Sequence, residues 1–301
     1  MDELILIEKN LFGDNPDFDN LVTDNYDFLV NRLLRLPKYR PFLIEKVVSY
    51  CSRMLHIDSF KALLINESVF AMPIIIRRLY EMNMIDFSLI NGIINGKGSF
   101  EFCFYFINEI QGFRDLMNNH FPNRKFDQLH YLSIKDIELM IKYGFTPSSI
   151  EYSLKYDDIT SLQEKMINPN GFENYFIKHT SFEWSKCQSC KDALSFAGFF
   201  GSIHCFKYLI LNGFTIKESV AVNAVCSGSH EIFHLCLPYL PKLSILLNKA
   251  SEFGYLPIIE YLVEQKVEIN RNNKDYLTIL IIKPQLLLHL NKDTFLYLIF
   301  S

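Results

Sequence analysis

Apolar residues along this chain recur mostly three and four positions apart, which is the spacing of one face of an α-helix. Ile44, Val47 and Val48 are an early example. Turn-forming pairs such as Asn91-Gly92 and Asn212-Gly213 interrupt the pattern at short intervals, and alternating strand patterns of useful length are rare. The pattern therefore predicts an all-α chain of many helices, each about 8–14 residues long and joined by short turns.

Self-comparison reveals a repeated unit in the C-terminal half of the sequence. Each copy has a small residue, a glycine four positions later, and apolar residues at helical spacing after the glycine. Three copies begin at Ala197–Gly201, Ala224–Gly228 and Ala250–Gly254, so the unit recurs after 27 and then 26 residues. A looser copy precedes them, with Ser153 in the small position and Asp157 in the glycine position.

Each position of the repeated unit has a physical purpose. A small residue allows one short helix to lie close to the next unit, and a glycine can adopt the left-handed conformation that ends a helix. A second helix follows at once. Because such a helix pair cannot bury its own apolar face, the pairs must stack on one another. The sequence therefore predicts a helical-repeat solenoid.

The segment from Ala197 to Leu209, followed by Asn212-Gly213, resembles the helix–turn–helix of the ankyrin-repeat family. The segment Tyr143–Pro147 resembles the closure of a preceding unit. The family usually repeats after about 33 residues and begins with Thr-Pro-Leu-His. Here the period is 26–27 residues and the start is degenerate, as in Asp192–Ser195. The resemblance implies an ankyrin-type helix–turn–helix stack with shortened hairpin loops.

The segments 148–159, 182–185 and 194–208 also resemble a lineage-expanded group of protist ankyrin proteins. Members of that group pair an N-terminal helical region with a C-terminal ankyrin stack. The resemblance implies two parts: an N-terminal helical region, 1–129, and an ankyrin-repeat stack, 130–301, with an insert at 168–191. Residues 1–129 are either diverged repeats or a separate domain.

The ankyrin resemblance implies a non-enzymatic scaffold that binds a protein partner of unknown identity, without catalytic residues or a cofactor. In such a stack the two residues before each turn glycine and the loop tips are free of the fold, and aromatic residues there anchor partners well. The predicted partner-binding residues are Lys155, Tyr156, Phe199, Phe200, Cys226, Ser227, Glu252 and Phe253, with Lys217 and Glu218 at a loop tip. For Phe199 and Phe200 the alternative is simple packing between units.

Composition narrows the class of protein and of partner. Hydrophobic residues make up 49% of the 301, which excludes a disordered chain. The net charge is −4, and basic residues form no cluster larger than a pair, so nucleic-acid binding is not indicated. The sequence contains no nucleotide-binding fingerprint or paired-carboxylate motif, so a small-molecule substrate is not indicated either.

Seven scattered cysteines and an acidic N-terminus with a short apolar run indicate a reducing compartment with free thiols. We expect the cytoplasm, with the nucleus as the alternative. The apolar tail 276–301 is interrupted by Lys283-Pro284 and by Asn291–Asp293. It therefore lacks the roughly 18–20 consecutive apolar residues of a membrane span. We expect a terminal cap or an interface, and a membrane tether is the less favoured alternative.

The segment His230–His234 matches the H-E-x-x-H pattern, in which two imidazoles one helical turn apart bind zinc and the glutamate activates a bound water. Glu252 or Glu260 could supply a third ligand. In the repeat register, however, His230 takes an apolar position and His234 an exposed one, so one ring should point inward. A zinc-dependent hydrolase is therefore the less favoured alternative function.

Three further features have weaker chemical meaning. Ile90–Ser99 approaches a phosphate-binding loop, but three residues instead of four separate its first two glycines, so a polar helix–helix turn is expected. Cys187–Cys190 is a lone C-x-x-C, for which we expect a plain loop instead of a metal or redox site. Trp184 is either an exposed partner anchor or, as we prefer, a residue that holds the 168–191 connection onto the stack.

Overall fold

A computed structural model describes residues 10–11, 17–19, 21, 23–96, 99–121, 132–166, 175–239, 243–253 and 255–265. Within these ranges the chain is all-helical, and the only β-type pairing is one antiparallel bridge between Phe176 and Asp192. The predicted all-α class is confirmed. The apolar tail 276–301 and the turn glycine Gly254 lie outside the described residues.

The chain forms two compact units. The N-terminal unit comprises 23–148 and 179–185, and the C-terminal unit comprises 149–178 and 186–301 together with the first 22 residues. The helices of the N-terminal unit are α1 (Tyr26–Tyr39), α2 (Ile44–Met54), α3 (Asp58–Ala71), α4 (Pro73–Glu81), α5 (Phe87–Gly96), α6 (Phe100–Phe104), α7 (Phe113–His120) and α8 (Ile134–Tyr143). Those of the C-terminal unit are α9 (Ile150–Lys155), α10 (Ile159–Lys165), α11 (Ala193–Phe200), α12 (Ile203–Leu211), α13 (Glu218–Ser227), α14 (His230–Cys236), α15 (Leu243–Phe253) and α16 (Leu256–Glu264).

This division differs from the boundary at 129/130 suggested by the resemblance, because α8 belongs to the N-terminal unit. The short segment 179–185 also belongs there. Its Phe182 is 1% exposed and packs against the ring of Tyr105, 5.6 Å away. The hydroxyl of Thr180 donates a hydrogen bond to the carbonyl of Gly144 over 2.5 Å. Part of the predicted insert is thus a structural component of the N-terminal unit.

The N-terminal unit packs α1 on α3, and α4 on both α2 and α3. Its core contains the fully buried rings of Phe102 and Phe106. The guanidinium of Arg77 lies 5.6 Å from the centre of the Phe106 ring and binds Glu109 over 2.6 Å and Glu81 over 2.8 Å. These contacts assign the arginine and its two carboxylates to the fold of this unit.

The C-terminal unit is built from four consecutive helix pairs, α9–α10, α11–α12, α13–α14 and α15–α16. The first helices of successive pairs pack side by side, and the second helices α10, α12 and α14 do the same. The small residues predicted to permit this approach, Ser153, Ala197, Ala224 and Ala250, are all fully buried. This prediction is confirmed.

The turns inside the helix pairs have the predicted backbone conformation. Gly201 and Gly228 have φ angles of +75° and +70°, and Asp157, in the glycine position of the first pair, has φ +55°. After the turn, the amide of Ser202 donates to the carbonyl of Ala197 over 3.0 Å. The bond from the amide of Asp158 to the carbonyl of Ser153 repeats this geometry, which ends a helix at a left-handed residue. The amide of Tyr255 donates to the carbonyl of Ala250 at the corresponding position.

Not every turn signal marks a turn. Asn91-Gly92 lies inside α5, where the side-chain amide of Asn95 donates to Oδ1 of Asn91 over 3.2 Å. The expectation of a polar turn across Ile90–Ser99 is wrong for 90–96, because these residues continue the apolar helical face that includes the buried Ile90 and Ile94. By contrast, Gly213 has φ +92° directly after α12, as predicted.

Candidate functional site

Half of the predicted partner-binding residues are buried. The exposed fraction is 1% for Lys155, 3% for Phe199, 8% for Phe200, 4% for Cys226 and 2% for Phe253. The expectation that these side chains are free of the fold is therefore wrong, because adjacent first helices approach closely enough to cover them. Packing between units, the alternative for Phe199 and Phe200, is confirmed.

Lys155 and Phe200 belong to one packed cluster at the end of α9. The ammonium of Lys155 lies 5.6 Å from the centre of the Phe200 ring and 5.5 Å from that of Tyr156. Attraction between a cation and an aromatic face contributes to the stability of a lysine at this buried position. Tyr156 itself is 37% exposed, and Lys217 and Glu218 are exposed. These three remain available for contact with a partner.

Ser227 completes the turn after α13. Its hydroxyl accepts a hydrogen bond from the amide of Ser229 over 3.0 Å and donates one to the carbonyl of Ala224 over 2.7 Å. The Ser227 hydroxyl therefore links the amide of Ser229 to the carbonyl of Ala224. In the turn after α11 the corresponding amide and carbonyl, those of Ser202 and Ala197, bond directly. The structure assigns this predicted binding residue to the fold.

Five of the predicted residues nevertheless line one cavity of about 710 Å³ in the C-terminal unit. They come from the first helices α11, α13 and α15, and the segment 186–189 supplies further lining residues. The five are Phe199, Glu218, Cys226, Glu252 and Phe253. We call this space the inter-helix cavity. Its size falls within the range typical of ligand pockets.

The same position of the repeated unit contributes to the cavity in three successive helix pairs. Phe199, Cys226 and Glu252 each lie two residues after the buried alanine of their helix, and all three line the cavity. The rings of Phe199 and Phe253 form an edge-to-face pair with their centres 5.9 Å apart. The predicted convergence of this position on one face is thus observed, although the side chains are largely covered.

A carboxylate between two ammonium groups lies at one side of the inter-helix cavity. Glu252 accepts a hydrogen bond from Lys249 over 2.7 Å and one from Lys186 over 3.0 Å. Burial alone would raise the pKa of the Glu252 carboxyl, but these two hydrogen bonds and the lysine charges outweigh it and lower the pKa. The carboxylate is therefore charged at neutral pH.

Asn223 is one of the polar cavity residues that the sequence did not predict. It is 5% exposed, lines the cavity from α13, and its Oδ1 accepts a hydrogen bond from the hydroxyl of Ser189 over 3.2 Å. Its Nδ2 is not one of the fully buried polar atoms that lack a hydrogen-bond partner. The available signal was an asparagine among the apolar residues Ala221, Ala224 and Val225.

A second cavity, of about 1300 Å³, lies beside α3 and α5 of the N-terminal unit. The carboxylate of Asp86 accepts bonds from the hydroxyl of Ser88 over 2.6 Å and from the amide of Leu89 over 2.9 Å. These bonds lower the pKa of Asp86 and cap the start of α5. The carboxylate thus serves the fold, and the inter-helix cavity is the stronger candidate site.

The cluster Asp157, His204 and Cys205 has the residue types of a cysteine nucleophile with its base, but its geometry is structural. Asp157 bonds Nδ1 of His204 over 2.6 Å and accepts from the amide of Cys205 over 2.9 Å. The thiol of Cys205 is buried and faces the carbonyl of Ser153 at 3.6 Å. Burial and the neighbouring Asp157 raise the pKa of this thiol, which disfavours the nucleophilic thiolate.

The histidines of the H-E-x-x-H segment lie on α14 with their ring centres 6.5 Å apart. Both His230 and His234 are exposed, so the expectation that one ring points inward is wrong. His230 is the first residue of the helix, and the first buried residue of the helix is Ile232. Glu231 is exposed and forms an ion pair with Lys207 of the preceding helix pair. Across the described residues, no three His, Cys, Asp or Glu side chains are close enough to hold a metal ion.

The C-x-x-C and Trp184 also have definite places. Cys187 and Cys190 are fully buried at a short 3₁₀ turn, where the amide of Cys190 donates to the carbonyl of Cys187 over 2.8 Å. Burial, reinforced by Cys187 and Cys226, raises the pKa of the Cys190 thiol. Trp184 is half-buried in the segment 179–185 of the N-terminal unit. The part of the 168–191 connection that contains Trp184 therefore belongs to the N-terminal unit.

None of the helices in the described ranges is long and apolar enough to cross a lipid bilayer. Comparison of the chain with protein-family models, with curated proteins and with solved structures finds no match. The inter-helix cavity, with its aromatic pair, its Glu252 between two lysines and its buried Asn223, is the candidate site among the described residues.

Proposed function

We propose that this chain is a non-enzymatic ankyrin-type solenoid scaffold of the cytoplasm, whose C-terminal unit binds a segment of a protein partner at the inter-helix cavity. The observation that carries the proposal is the convergence of one repeat position, Phe199, Cys226 and Glu252, on that cavity. Stacked helix pairs present corresponding positions on a common face, which suits them to binding an extended segment.

The structure of the repeated unit supports the ankyrin-type assignment. Its helix pairs recur after 26–27 residues, its small positions are buried, and its first turns have left-handed residues. The exposed Tyr156, Lys217 and Glu218 extend the proposed contact surface around the cavity. Phe199 and Phe253 contribute as part of the cavity wall, so their replacement would disturb packing as well as binding.

Site-directed photo-crosslinking in the full chain tests the proposal without disturbing this packing. A benzoylphenylalanine at Gln188, which is exposed at the cavity, should crosslink a discrete partner in cells. The matched control places the same group at Leu211, which is 85% exposed on the second helix α12 and does not line the cavity.

A crosslinked protein obtained from position 188 and not from position 211 would support the proposal. Substituting the exposed pair Lys217 and Glu218 with reversed charges should then weaken the crosslink. Equal yields from both positions, or no crosslink from position 188, would contradict the assignment of the cavity as the binding site.

A further inference from the structure

A segment outside the repeated unit covers part of the inter-helix cavity. Residues 186–189 lie in the chain between segment 179–185 and the start of α11. Lys186, Gln188 and Ser189 line the cavity together with residues of the first helices α11, α13 and α15. We call residues 186–189 the cover segment. It lies on the face that we propose for the partner segment.

Side-chain contacts hold the cover segment on two successive first helices. The ammonium of Lys186 donates a hydrogen bond to Glu252 of α15 over 3.0 Å. The hydroxyl of Ser189 donates one to Oδ1 of Asn223 of α13 over 3.2 Å. Asn223 and Glu252 both line the cavity. The cover segment therefore bonds to polar groups of the proposed site, and a partner segment that uses the same atoms competes with it.

The cover segment is held less strongly than the helices beneath it. The ion pair of Lys186 and Glu252 is partly exposed at both ends, so water and salt screen it. The segment forms only the short 3₁₀ turn Cys187–Ser189, whereas α11, α13 and α15 pack side by side. Short segments outside the main helices open locally at a lower free-energy cost than the whole fold. Opening of the cover segment is thus the least costly way to uncover the cavity.

We propose that the cover segment acts as an autoinhibitory strap: it closes the inter-helix cavity, and the partner segment binds once the cover segment has moved away from Asn223 and Glu252. This inference rests on the proposed function and adds how access to the site is controlled. Because only the open fraction of the chain binds, the apparent affinity for the partner falls in proportion to that fraction. Loss of either contact of the cover segment therefore increases both opening and binding.

Two buried thiols report the opening of the cover segment. Cys187 lies within it and Cys190 directly follows it, and both are fully buried. The purified full chain is treated with N-ethylmaleimide under native conditions, and peptide mass spectrometry measures the rate at each cysteine. Cys236, fully buried on α14, is the internal reference. We expect Cys187 and Cys190 to react about tenfold faster than Cys236, because local opening exposes them without unfolding the helices.

Two substitutions weaken the cover segment and leave the helices unchanged. Lys186→Met keeps the length of the side chain and removes its charge, so both reporter thiols should react about threefold faster. Ser189→Ala removes the hydroxyl that bonds Asn223, so they should react about fivefold faster. The matched control is Lys207→Met, which removes an exposed ion pair with Glu231 between second helices and should change neither rate.

Partner access is measured by photo-crosslinking from position 219 of the full chain in cells. Ser219 is exposed, lines the cavity from α13 and lies outside the cover segment. The double variant Lys186→Met, Ser189→Ala should increase the yield of the partner crosslink by about threefold or more over wild type. Lys207→Met should leave this yield unchanged.

Unchanged labelling of the two reporter thiols in both single variants would overturn the inference, and so would an equal acceleration at Cys236, which reports global unfolding. Faster labelling with an unchanged or lower crosslink yield would also overturn it, because the cover segment would then be part of the binding surface. Crosslinking from position 188 of the wild-type chain is measured separately, so its success beside any of these results would leave the proposed function intact. No crosslink from position 188 or 219, even in the double variant, would refute the proposed function together with this inference.

Discussion

Asp157 shows how one residue combines backbone and side-chain roles. It takes the left-handed conformation that Gly201 and Gly228 take in the next two turns, which costs a non-glycine residue roughly 1 kcal/mol or more. Its carboxylate offsets this cost by accepting the amide of Cys205, near the start of α12, and by binding His204. The first helix pair is thereby connected to the second through a side chain.

Glu252 carries a pH dependence that belongs to the cavity. Its pKa is lowered in the folded chain, so its ion pairs stabilise the fold above the pKa of the unfolded chain and lose this effect as pH falls through the folded pKa. We expect Glu252→Gln to lower the free energy of unfolding by at most about 1 kcal/mol at pH 7, because both lysines are partly exposed.

The difference between wild type and Glu252→Gln should shrink as pH falls from the pKa of an unfolded glutamate, about 4.3, through the lowered pKa of the folded chain. Urea unfolding at a series of pH values measures it. Glu264→Gln is the matched control, since Glu264 is exposed at the end of α16. A Glu252→Gln effect that is constant between neutral and acidic pH would show that the charge of Glu252 does not stabilise the fold.

Burial at these positions could not be derived from the sequence. The repeat register correctly placed Phe199, Cys226 and Glu252 on a common face, because helical spacing depends on local order. Their exposure depends on segment 186–189, which is outside the repeat, and on the approach of neighbouring first helices. A cavity position for Asn223 could not be predicted for the same reason, since it depends on which groups surround the side chain.

At the scale of elements, the turn within each helix pair decides how closely the pairs pack. The glycine of the α13–α14 turn has no room for a side chain, because a Cβ at Gly228 would overlap the ring of Tyr255. At Gly201 the nearest side-chain atom to such a Cβ is Cβ of Ser227, 3.3 Å away. The two turns share a conformation and differ in how tightly the following pair covers them.

Substitution of the turn glycine tests this packing. We expect Gly228→Ala to lower the free energy of unfolding by about 2–4 kcal/mol, from backbone strain and overlap with Tyr255. Gly201→Ala should cost less. Gly92→Ala is the contrasting control, because Gly92 lies inside α5 with no described atom within 4 Å of an added Cβ. It should stabilise the chain by about 0.5–1 kcal/mol.

Chemical denaturation followed by circular dichroism measures these three variants. The expected order of stability is Gly92→Ala, wild type, Gly201→Ala and Gly228→Ala. Equal stability of the two turn variants would show that Tyr255 moves aside at little cost.

At the scale of the whole chain, the chemically reactive side chains of the described residues mostly stabilise the fold. All seven cysteines are buried, and burial raises the pKa of Cys51, Cys226 and Cys236 to about 12. The histidines of α14 are exposed, but Glu231 between them binds Lys207. The inter-helix cavity instead combines polar groups with an aromatic pair, which is why we propose binding as its function.

Metal analysis of the purified chain distinguishes this proposal from a zinc hydrolase. We expect less than about a tenth of an equivalent of zinc to remain after dialysis, because two exposed imidazoles alone bind the ion weakly. A His230→Ala, His234→Ala double variant should have the same zinc content as wild type. One equivalent of zinc that is lost in the double variant would contradict the binding proposal and favour the hydrolase.

The sequence by itself determined the all-α class, the repeated unit of the C-terminal half, its buried small residues and its left-handed turns. These features depend on helical periodicity and on backbone conformation, which neighbouring residues specify. The tertiary structure alone decided that α8 and segment 179–185 belong to the N-terminal unit, and that Lys155, Phe200 and Ser227 serve the fold. It also brought Asn223, Lys249 and Glu252 around one cavity. Burial and charge pairing depend on contacts between residues far apart in the chain, and no local pattern encodes which of those contacts form.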